Sequence, residues 1–325
     1  MEAKTPLFSM LLMTSTLLVV AASNYMFAWM MMELNMLTFT PLMCSKKSSS
    51  AIETSIKYLI PQSFASSLFI LAISMTTFLP NHNMLTTTAL LMKLGSAPFH
   101  TWFPTVMMSI NLVAGFILMT WQKIIPLTLM SIPQLSHTPL ILVSAAVTAL
   151  WGSIAGLNQT NTTLMLAFSS VAHLAWMISA TLFSVSVTLL YFTLYTLTLL
   201  TIFNLMNTQN LMSHKMFMHT MLNPNHLMIF VLNFLSLAGM PPFAMFSGKL
   251  VIVYLMKNMM TTLVIMLISA AISLYFYMVI TFTSFLNSMN SLSLLNKMLH
   301  FSAINIMTLV LQLSALPLTL YLTIE

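Results

Sequence analysis

The sequence predicts an all-α, polytopic membrane protein. Of its 325 residues, 59% are hydrophobic and only 4% are charged, whereas about 25% are charged in soluble globular proteins. Apolar runs of roughly 20 residues, the length that crosses the hydrocarbon core, follow one another along the chain. Runs such as LVIMLISAAISLYFYMVI lack the alternation of a β-barrel strand, and a helix satisfies all its backbone groups in lipid. The composition therefore excludes a soluble enzyme.

We predict eleven helices within one membrane domain, residues 1–325. The apolar start MEAKTPLFSMLLMTSTLLVV favours a retained first helix over a cleaved signal peptide, because the same pattern continues along the chain. The predicted helices span, in order, residues 4–22, 25–44, 56–80, 84–104, 105–131, 137–157, 160–182, 183–207, 225–256, 259–287 and 302–323.

The loop lysines support this count, since positive charge favours the side from which a membrane protein is inserted. If the N-terminus defines side one, only Lys257 lies on the opposite side. The lysines on side one are Lys4, Lys46, Lys47, Lys57, Lys215 and Lys297. We therefore expect the N-terminus on the side of insertion, which is the matrix in a mitochondrion.

The residue usage points to a mitochondrial gene. The chain has 34 methionines, all 10 basic residues are lysine and all 4 acidic residues are glutamate, so arginine and aspartate are missing. Membrane insertion requires no such bias. We attribute it to an AT-rich organellar genome that reads an extra codon as methionine, and we expect the protein in the inner mitochondrial membrane.

Two of the predicted helices, the fourth and the ninth, are interrupted by glycine and proline in KLGSAPF and AGMPPFAMFSGK. Proline removes an amide donor, and the freed carbonyls then need polar partners. The two helices lie five apart and so cross the membrane in opposite directions, as in transporters built from inverted repeats. We predict repeats at 4–131 and 137–287, with 302–323 as an additional helix. Isolated proline kinks are the alternative interpretation.

Four charged residues fall inside predicted spans, where each costs about 2.5–3.5 kcal/mol on insertion scales. Long lysine side chains can reach the interface instead, and this alternative is strongest for the lysine beside the second break. The short side chain of the glutamate cannot do so. We interpret all four as functional: Glu33, Lys93, Lys123 and Lys249.

These residue types suit proton transfer. A lysine ammonium group removed from water can exchange its proton near neutral pH, whereas a guanidinium stays charged. A carboxylate such as Glu33 favours the charged form of a lysine when it is close, so a separable pair acts as a switch. His173, with Ser169 and Ser170 beside it, is a candidate relay. A structural histidine, bonded to a neighbouring helix, is the equal alternative, and the same holds for His100.

Other chemistry is not visible in the sequence. Cys44 is the only cysteine, so thiolate metal clusters and disulfides within the chain are excluded. No phosphate-binding loop, nucleophile triad or dinucleotide fingerprint occurs. We therefore expect no metal and no bound cofactor in this chain, and no nucleic-acid partner.

Several stretches of the sequence resemble a known family, in order and spacing over most of the chain. That family is subunit 2 of mitochondrial NADH dehydrogenase (ubiquinone), an antiporter-like membrane subunit of respiratory complex I related to bacterial cation/proton antiporter subunits. The stretches are MELNML, ETSIKYLIPQS, MKLGSAPFHTWFP, LMTWQKIIPL, AGLNQTNTTLMLAFSSVAHLAWM and AGMPPFAMFSGK. Thr105 and the SGK before Lys249 depart from the family pattern.

The resemblance implies specific roles. Glu33 would be the glutamate paired with the first lysine, Lys93 that lysine, Lys123 the central lysine and Lys249 the terminal one, with His173 on the same hydrophilic axis. It also implies membrane-arm and accessory subunits as partners, phospholipids such as cardiolipin around the protein, and NAD, FMN, iron–sulfur clusters and ubiquinone in other subunits. Quinone reduction there would drive proton translocation here.

Two other readings compete with a proton-translocating subunit. A stand-alone sodium or potassium/proton antiporter would use the same lysines but would be stable and active alone. A structural scaffold, in which the buried charges only bridge helices, predicts that Lys123→Met leaves proton pumping intact.

Overall fold

The computed structural model describes residues 5–44, 49–77, 82–209 and 224–290 of the chain. Within these ranges the regular elements are all helical. The α-helices are α1 Thr5–Val20, α2 Tyr25–Met43, α3 Ser49–Ser74, α4 His82–Leu94, α5 Trp102–Met107, α6 Leu112–Met119, α7 Trp121–Met130, α8 Thr138–Gly156, α9 Thr162–Ala180, α10 Val185–Gln209, α11 Pro224–Ala238, α12 Ala244–Leu255 and α13 Met260–Asn290.

The all-helical membrane class is confirmed. In the described part of the chain, 6 segments are long and apolar enough to cross a membrane. The predicted helix at 302–323 lies outside the described residues, so the total of eleven and the inverted repeats stay predictions. The six segments are Ser49–Ser74, Leu112–Met130, Thr138–Gly156, Thr162–Ala180, Val185–Asn207 and Met260–Ser284.

The predicted fifth segment, 105–131, is not one continuous helix. Its start belongs to α5, and the chain becomes extended at Asn111 before α6 begins. A second irregularity separates α6 from α7 at Thr120, whose φ of −113° and ψ of −77° depart from helical values. The Thr120 hydroxyl donates to the carbonyl of Phe116 at 2.7 Å, a local bond that competes with the helical ladder.

The first predicted break has a defined backbone geometry. Gly95 adopts a positive φ of 71°, which favours glycine. Its amide donates to the carbonyl of Met92 at 3.2 Å, and the amide of Ser96 donates to Leu91 at 3.1 Å. This is the Schellman pattern of a helix C-terminus, so α4 ends by satisfying two of its own carbonyls.

The second break repeats this geometry. Gly239 has a φ of 84°, and its amide donates to Ser236 at 3.0 Å while that of Met240 donates to Leu235 at 3.3 Å. In both breaks a Pro-Phe pair follows the glycine at the same spacing, in GSAPF and GMPPF. The same local sequence therefore ends α4 and α11 in the same way.

The chain forms two compact units. The first consists of Met1–Thr148 with Ile178–Val185, and the second of Ala149–Met177 with Ser186–Glu325. In the first unit, α2 packs on α1 and α3, and α4 packs on α3 and α7. In the second unit, α11 packs on α12 and α13, and the rings of Phe234 and Tyr277 lie 5.9 Å apart in its core.

A glycine allows α8 and α9 to approach closely inside the second unit. A Cβ atom at Gly152 would lie 2.6 Å from the backbone nitrogen of Ala172 and 2.9 Å from the carbonyl oxygen of Phe168. One turn further along α8, a Cβ at Gly156 would meet only the ring of Phe276, at 3.1 Å. Backbone atoms cannot move aside as a ring can, so the first glycine fixes the helix contact.

We expect Gly152→Ala to destabilise the protein by about 1–3 kcal/mol, the usual range for overpacking, because α8 and α9 must separate. Gly156→Ala, the same change on the same helix, should have a clearly smaller effect. The measurement is the temperature at which half of the protein in detergent extracts aggregates. Equal shifts for the two variants would contradict this account of the contact.

Candidate functional site

The first unit carries three of the predicted charged residues on three helices: Glu33 on α2, Lys93 on α4 and Lys123 on α7. Lys123 is 2% exposed, and the other two are half-buried. All three lie in helices that pack in one unit, directly or through α3. The fold therefore brings three residues that are far apart in the sequence into one unit.

Lys93 lies next to the turn that carries Glu33 but does not contact its carboxylate. The Lys93 Nζ contacts the thioether sulfur of Met32 at 3.6 Å, and the charge of Glu33 acts on it through space. Among the described residues, the ion pair within 4.0 Å is that of Glu53 and Lys57 at the exposed start of α3. The predicted Glu33–Lys93 pair is thus separated in this structure, and its role as a switch stays a prediction.

A small polar cavity adjoins Lys93. Its volume is about 20 Å³, which is room for roughly one water molecule. The side-chain amide nitrogen of Gln122 is buried and makes no hydrogen bond within the described part of the chain. The lining residues are Met32, Asn35, Met36, Tyr58, Gln62, Lys93, Gln122, Ile125 and Pro126. A water molecule in this cavity would have several polar partners besides the ammonium group.

The carbonyls at the end of α4 receive side-chain donors from two other helices. Gln62 on α3 donates its amide to the backbone carbonyl of Lys93 at 3.0 Å. The indole nitrogen of Trp102 on α5 donates to Met92 at 3.3 Å. Gln62 thus supplies a partner for the Lys93 carbonyl, which the break would otherwise leave without one in a membrane. Trp102 adds a second donor to the Met92 carbonyl, which already accepts from the amide of Gly95. The two bonds also hold the lysine backbone in place from two sides.

Lys123 lies in the first turn of α7, the helix that follows the irregularity at Thr120. Its Nζ lies 5.5 Å from the ring centroid of Phe103 on α5, a cation–π distance. Pro126 sits inside α7, where it cannot donate to the carbonyl of Gln122. Lys123 therefore lies between the irregularity at Thr120 and a proline of its own helix, and it faces an aromatic ring.

In the second unit, Lys249 on α12 is 8% exposed and reaches the end of α11. Its Nζ donates to the carbonyl of Ala238 at 3.1 Å and lies 6.0 Å from the ring centroid of Trp176. Gly239 leaves the space that this contact needs, since a Cβ there would lie 2.8 Å from the ammonium nitrogen. The negative end of the α11 dipole thus faces a lysine.

His173 lies in a buried polar cluster of the same unit. Its Nδ1 is 2.8 Å from the hydroxyl oxygen of Tyr191 on α10, and its ring centroid is 5.3 Å from that of Tyr195. Ser170 interacts with Tyr195, and Ser169 with Tyr277 on α13. The serines that sequence reasoning placed beside His173 therefore lie near tyrosines of other helices.

His100 is 8% exposed and lies just after the first break, where its carbonyl accepts from the amide of Phe103 at 3.1 Å. In the described ranges, no group of three or more His, Cys, Asp or Glu could hold a metal ion.

Several residues of the site were missed from the sequence. Tyr58 and Gln62 lie four residues apart on α3, and a polar pair at that spacing in an apolar helix is a detectable signal. Gln122 directly precedes a predicted lysine. Trp176 and Tyr191 gave no such signal, because aromatic residues are ordinary in membrane helices.

Comparison with known proteins identifies relatives of the chain. A family model described as NADH:quinone oxidoreductase/Mrp antiporter, transmembrane, matches residues 81–274. The NADH-ubiquinone oxidoreductase chain 2 of Anopheles gambiae is 37% identical over 293 residues, which cover 86% of this chain and 85% of that protein. The protein of the same name from Ovis aries is 35% identical over 336 residues, covering 97% and 96%.

A solved structure has a similar fold. A chain in respiratory complex I from Thermus thermophilus with bound aureothin superimposes with a TM-score of 0.83 at 20% identity, covering 97% of this chain and 78% of that one. At this level of identity the likeness concerns the fold alone.

We expect Gln62→Leu to lower stability by about 1–3 kcal/mol, because the Lys93 carbonyl loses its donor inside the protein. Ser63→Ala is the matched control: that hydroxyl is exposed and donates only to the Ile60 carbonyl of its own helix, so a shift within about 0.5 kcal/mol is expected. Thermal inactivation of membranes carrying each variant measures the difference. Indistinguishable curves for the two variants would refute the role assigned to Gln62.

Proposed function

Because the chain belongs to the NADH:quinone oxidoreductase/Mrp antiporter family of membrane proteins, we propose that it is an antiporter-like core subunit of respiratory complex I. In this proposal it lies in the membrane arm of the enzyme, in the inner mitochondrial membrane, and translocates protons. The assignment to the complex follows the names of the relatives, which are subunits of NADH-ubiquinone oxidoreductase.

The observation that carries the proposal is the burial of lysines at helix interruptions. Lys93 and Lys249 lie at the two breaks, and Lys123 follows the irregularity at Thr120. Each charge costs about 2.5–3.5 kcal/mol in the middle of a membrane helix on insertion scales. A protein that only had to bridge helices could use neutral hydrogen-bonding groups at lower cost.

In the first unit we assign Glu33 and Lys93 to proton loading. When the carboxylate approaches, it stabilises the ammonium form and the lysine takes up a proton; when it withdraws, the ammonium group is destabilised and can release the proton. The separation of the two groups supports this assignment, because a switch needs an open state. The small cavity offers the released proton polar acceptors, and Lys123 is the next titratable group of this unit in the proposed axis.

In the second unit we assign Lys249 to the terminal position and His173 to a relay. Both are buried, at 8% and 4% exposure, so a proton that reaches them travels through the protein rather than from bulk water. The end of α11 holds Lys249 through a backbone carbonyl rather than through a carboxylate of the kind proposed for Lys93. A cation bound this way is held by a fixed dipole, which suits a group that is charged for part of the cycle.

The proposal places the remaining chemistry elsewhere. NADH oxidation with FMN and iron–sulfur clusters, and the reduction of ubiquinone, belong to other subunits, so the chain acts as part of a translocase without redox chemistry of its own. Other membrane-arm and accessory subunits are its protein partners, and phospholipids including cardiolipin surround it. The N-terminus faces the matrix.

The test is proton pumping in membranes carrying Lys123→Met, after a native gel has established that the complex is assembled. Groups that transfer protons typically contribute about 10²–10⁴-fold to a rate, so we expect NADH-driven pumping to fall by about tenfold or more. Lys57→Met serves as the control, since that lysine belongs to an exposed helical ion pair and should pump normally.

Unchanged pumping and stoichiometry in an assembled Lys123→Met complex would contradict the proposal and favour the interpretation of the chain as a structural scaffold. The stand-alone antiporter makes a different prediction: the isolated chain in lipid vesicles would exchange sodium or potassium for protons without NADH. Copurification with the other subunits, and no exchange by the chain alone, is the expected result.

A further inference from the structure

His173 and Tyr191 form a close contact between two titratable side chains of the buried second-unit cluster, at 2.8 Å from Nδ1 to the hydroxyl oxygen. Tyr191 is 0% exposed and His173 4%. They belong to neighbouring helices, α9 and α10, so the contact is tertiary rather than local. It therefore determines how the imidazole is oriented.

A histidine that passes a proton through its ring must change tautomer. It accepts a proton on one nitrogen and releases one from the other. Nδ1 is therefore a hydrogen-bond acceptor before the transfer and a donor after it, and its partner must suit both states. A carbonyl or carboxylate can only accept from Nδ1 and fixes one tautomer. A hydroxyl can donate and accept, and so it keeps the hydrogen bond to Nδ1 in both tautomers.

Resting on the proposed function, we propose that Tyr191 is a relay residue that makes His173 a through-relay rather than a structural histidine. The transfer is balanced: Nδ1 takes the Tyr191 hydroxyl proton, the Tyr191 oxygen takes a proton from a water molecule, and the imidazole releases the proton of Nε2 to a second water molecule. One proton enters and one leaves, and neither side chain changes its net charge. The same steps run in reverse.

Other hydroxyls lie in the same buried cluster. The side chains of Tyr195 and Tyr277 lie near Tyr191, and both are at most 1% exposed. Ser170 lies near Tyr195 and donates its own proton to the carbonyl of Ala167 at 2.7 Å. The surroundings of Tyr191 are therefore polar as well as buried.

Close backbone packing fixes the Tyr191 ring. A Cβ at Gly248 would lie 3.1 Å from the ring carbon Cδ2 of Tyr191 and 3.2 Å from a methyl carbon of Leu194. The residue before Lys249 therefore supports the tyrosine from α12 while His173 contacts its hydroxyl from α9. The SGK sequence, which departs from the family pattern, provides the space for this contact.

The experiment compares tyrosine-to-phenylalanine variants in the assembled complex, with pumping per NADH oxidised as the readout. Tyr191→Phe removes one oxygen and keeps the ring, and we expect pumping to fall by about tenfold at normal assembly. Tyr195→Phe should cause a smaller loss, because that hydroxyl does not bond His173. Tyr275→Phe, at an exposed position of α13, should leave pumping unchanged.

A double-mutant cycle separates this proton relay from a general packing role. If Tyr191 acts through His173, Tyr191→Phe adds no further loss in the His173→Gln background; a packing role predicts that the two losses add. Additive losses, or equal losses for Tyr191→Phe and Tyr195→Phe, would overturn the inference. So would normal pumping in Tyr191→Phe while Lys123→Met pumps poorly, and in that case the proposed function survives. Normal pumping in Lys123→Met and His173→Gln would instead defeat the proposed function itself.

Discussion

Positive charge inside an apolar helical protein must be matched by acceptors, and the rest of this structure depends on how that demand is met. A continuous helix offers none, because its carbonyls are bonded to its own amides. An interrupted helix exposes carbonyls at its end, where the backbone dipole is negative. The Schellman turns after α4 and α11 create such ends inside the segments that the sequence predicts to span the membrane. Lys93 and Lys249 lie beside these helix ends.

The two units surround their buried lysines with different partner groups. In the first, the carbonyls at the break are bonded by Gln62 and Trp102, so the ammonium group of Lys93 is directed toward a sulfur atom, a small polar cavity and a nearby carboxylate. In the second, Lys249 itself bonds a carbonyl at the break. The same local backbone therefore supports one lysine that is free to change partners and one that is held by the fold.

Sequence reasoning predicted what depends on composition and local pattern. The helical class, the two breaks and the buried positions of Lys123, Lys249 and His173 follow from hydropathy, from glycine and proline, and from the rarity of charge. It did not predict the irregularity at Thr120, because a single threonine carries no helix-breaking signal in an apolar run. Nor did it find the partners Gln62, Trp176 and Tyr191, since contacts between helices depend on rotation and tilt, which one sequence does not encode in readable form.

The contact between Lys93 and Met32 affects how quickly the lysine side chain can change partners. A thioether sulfur is a weak acceptor, and at 3.6 Å from Nζ it stabilises the ammonium group only slightly. Little free energy is lost when the lysine leaves it, so the barrier to leaving is low. A carboxylate or carbonyl in the same place would bind the group more tightly and release it more slowly. In the proposed proton cycle, methionine at this position therefore favours a short residence time for Lys93.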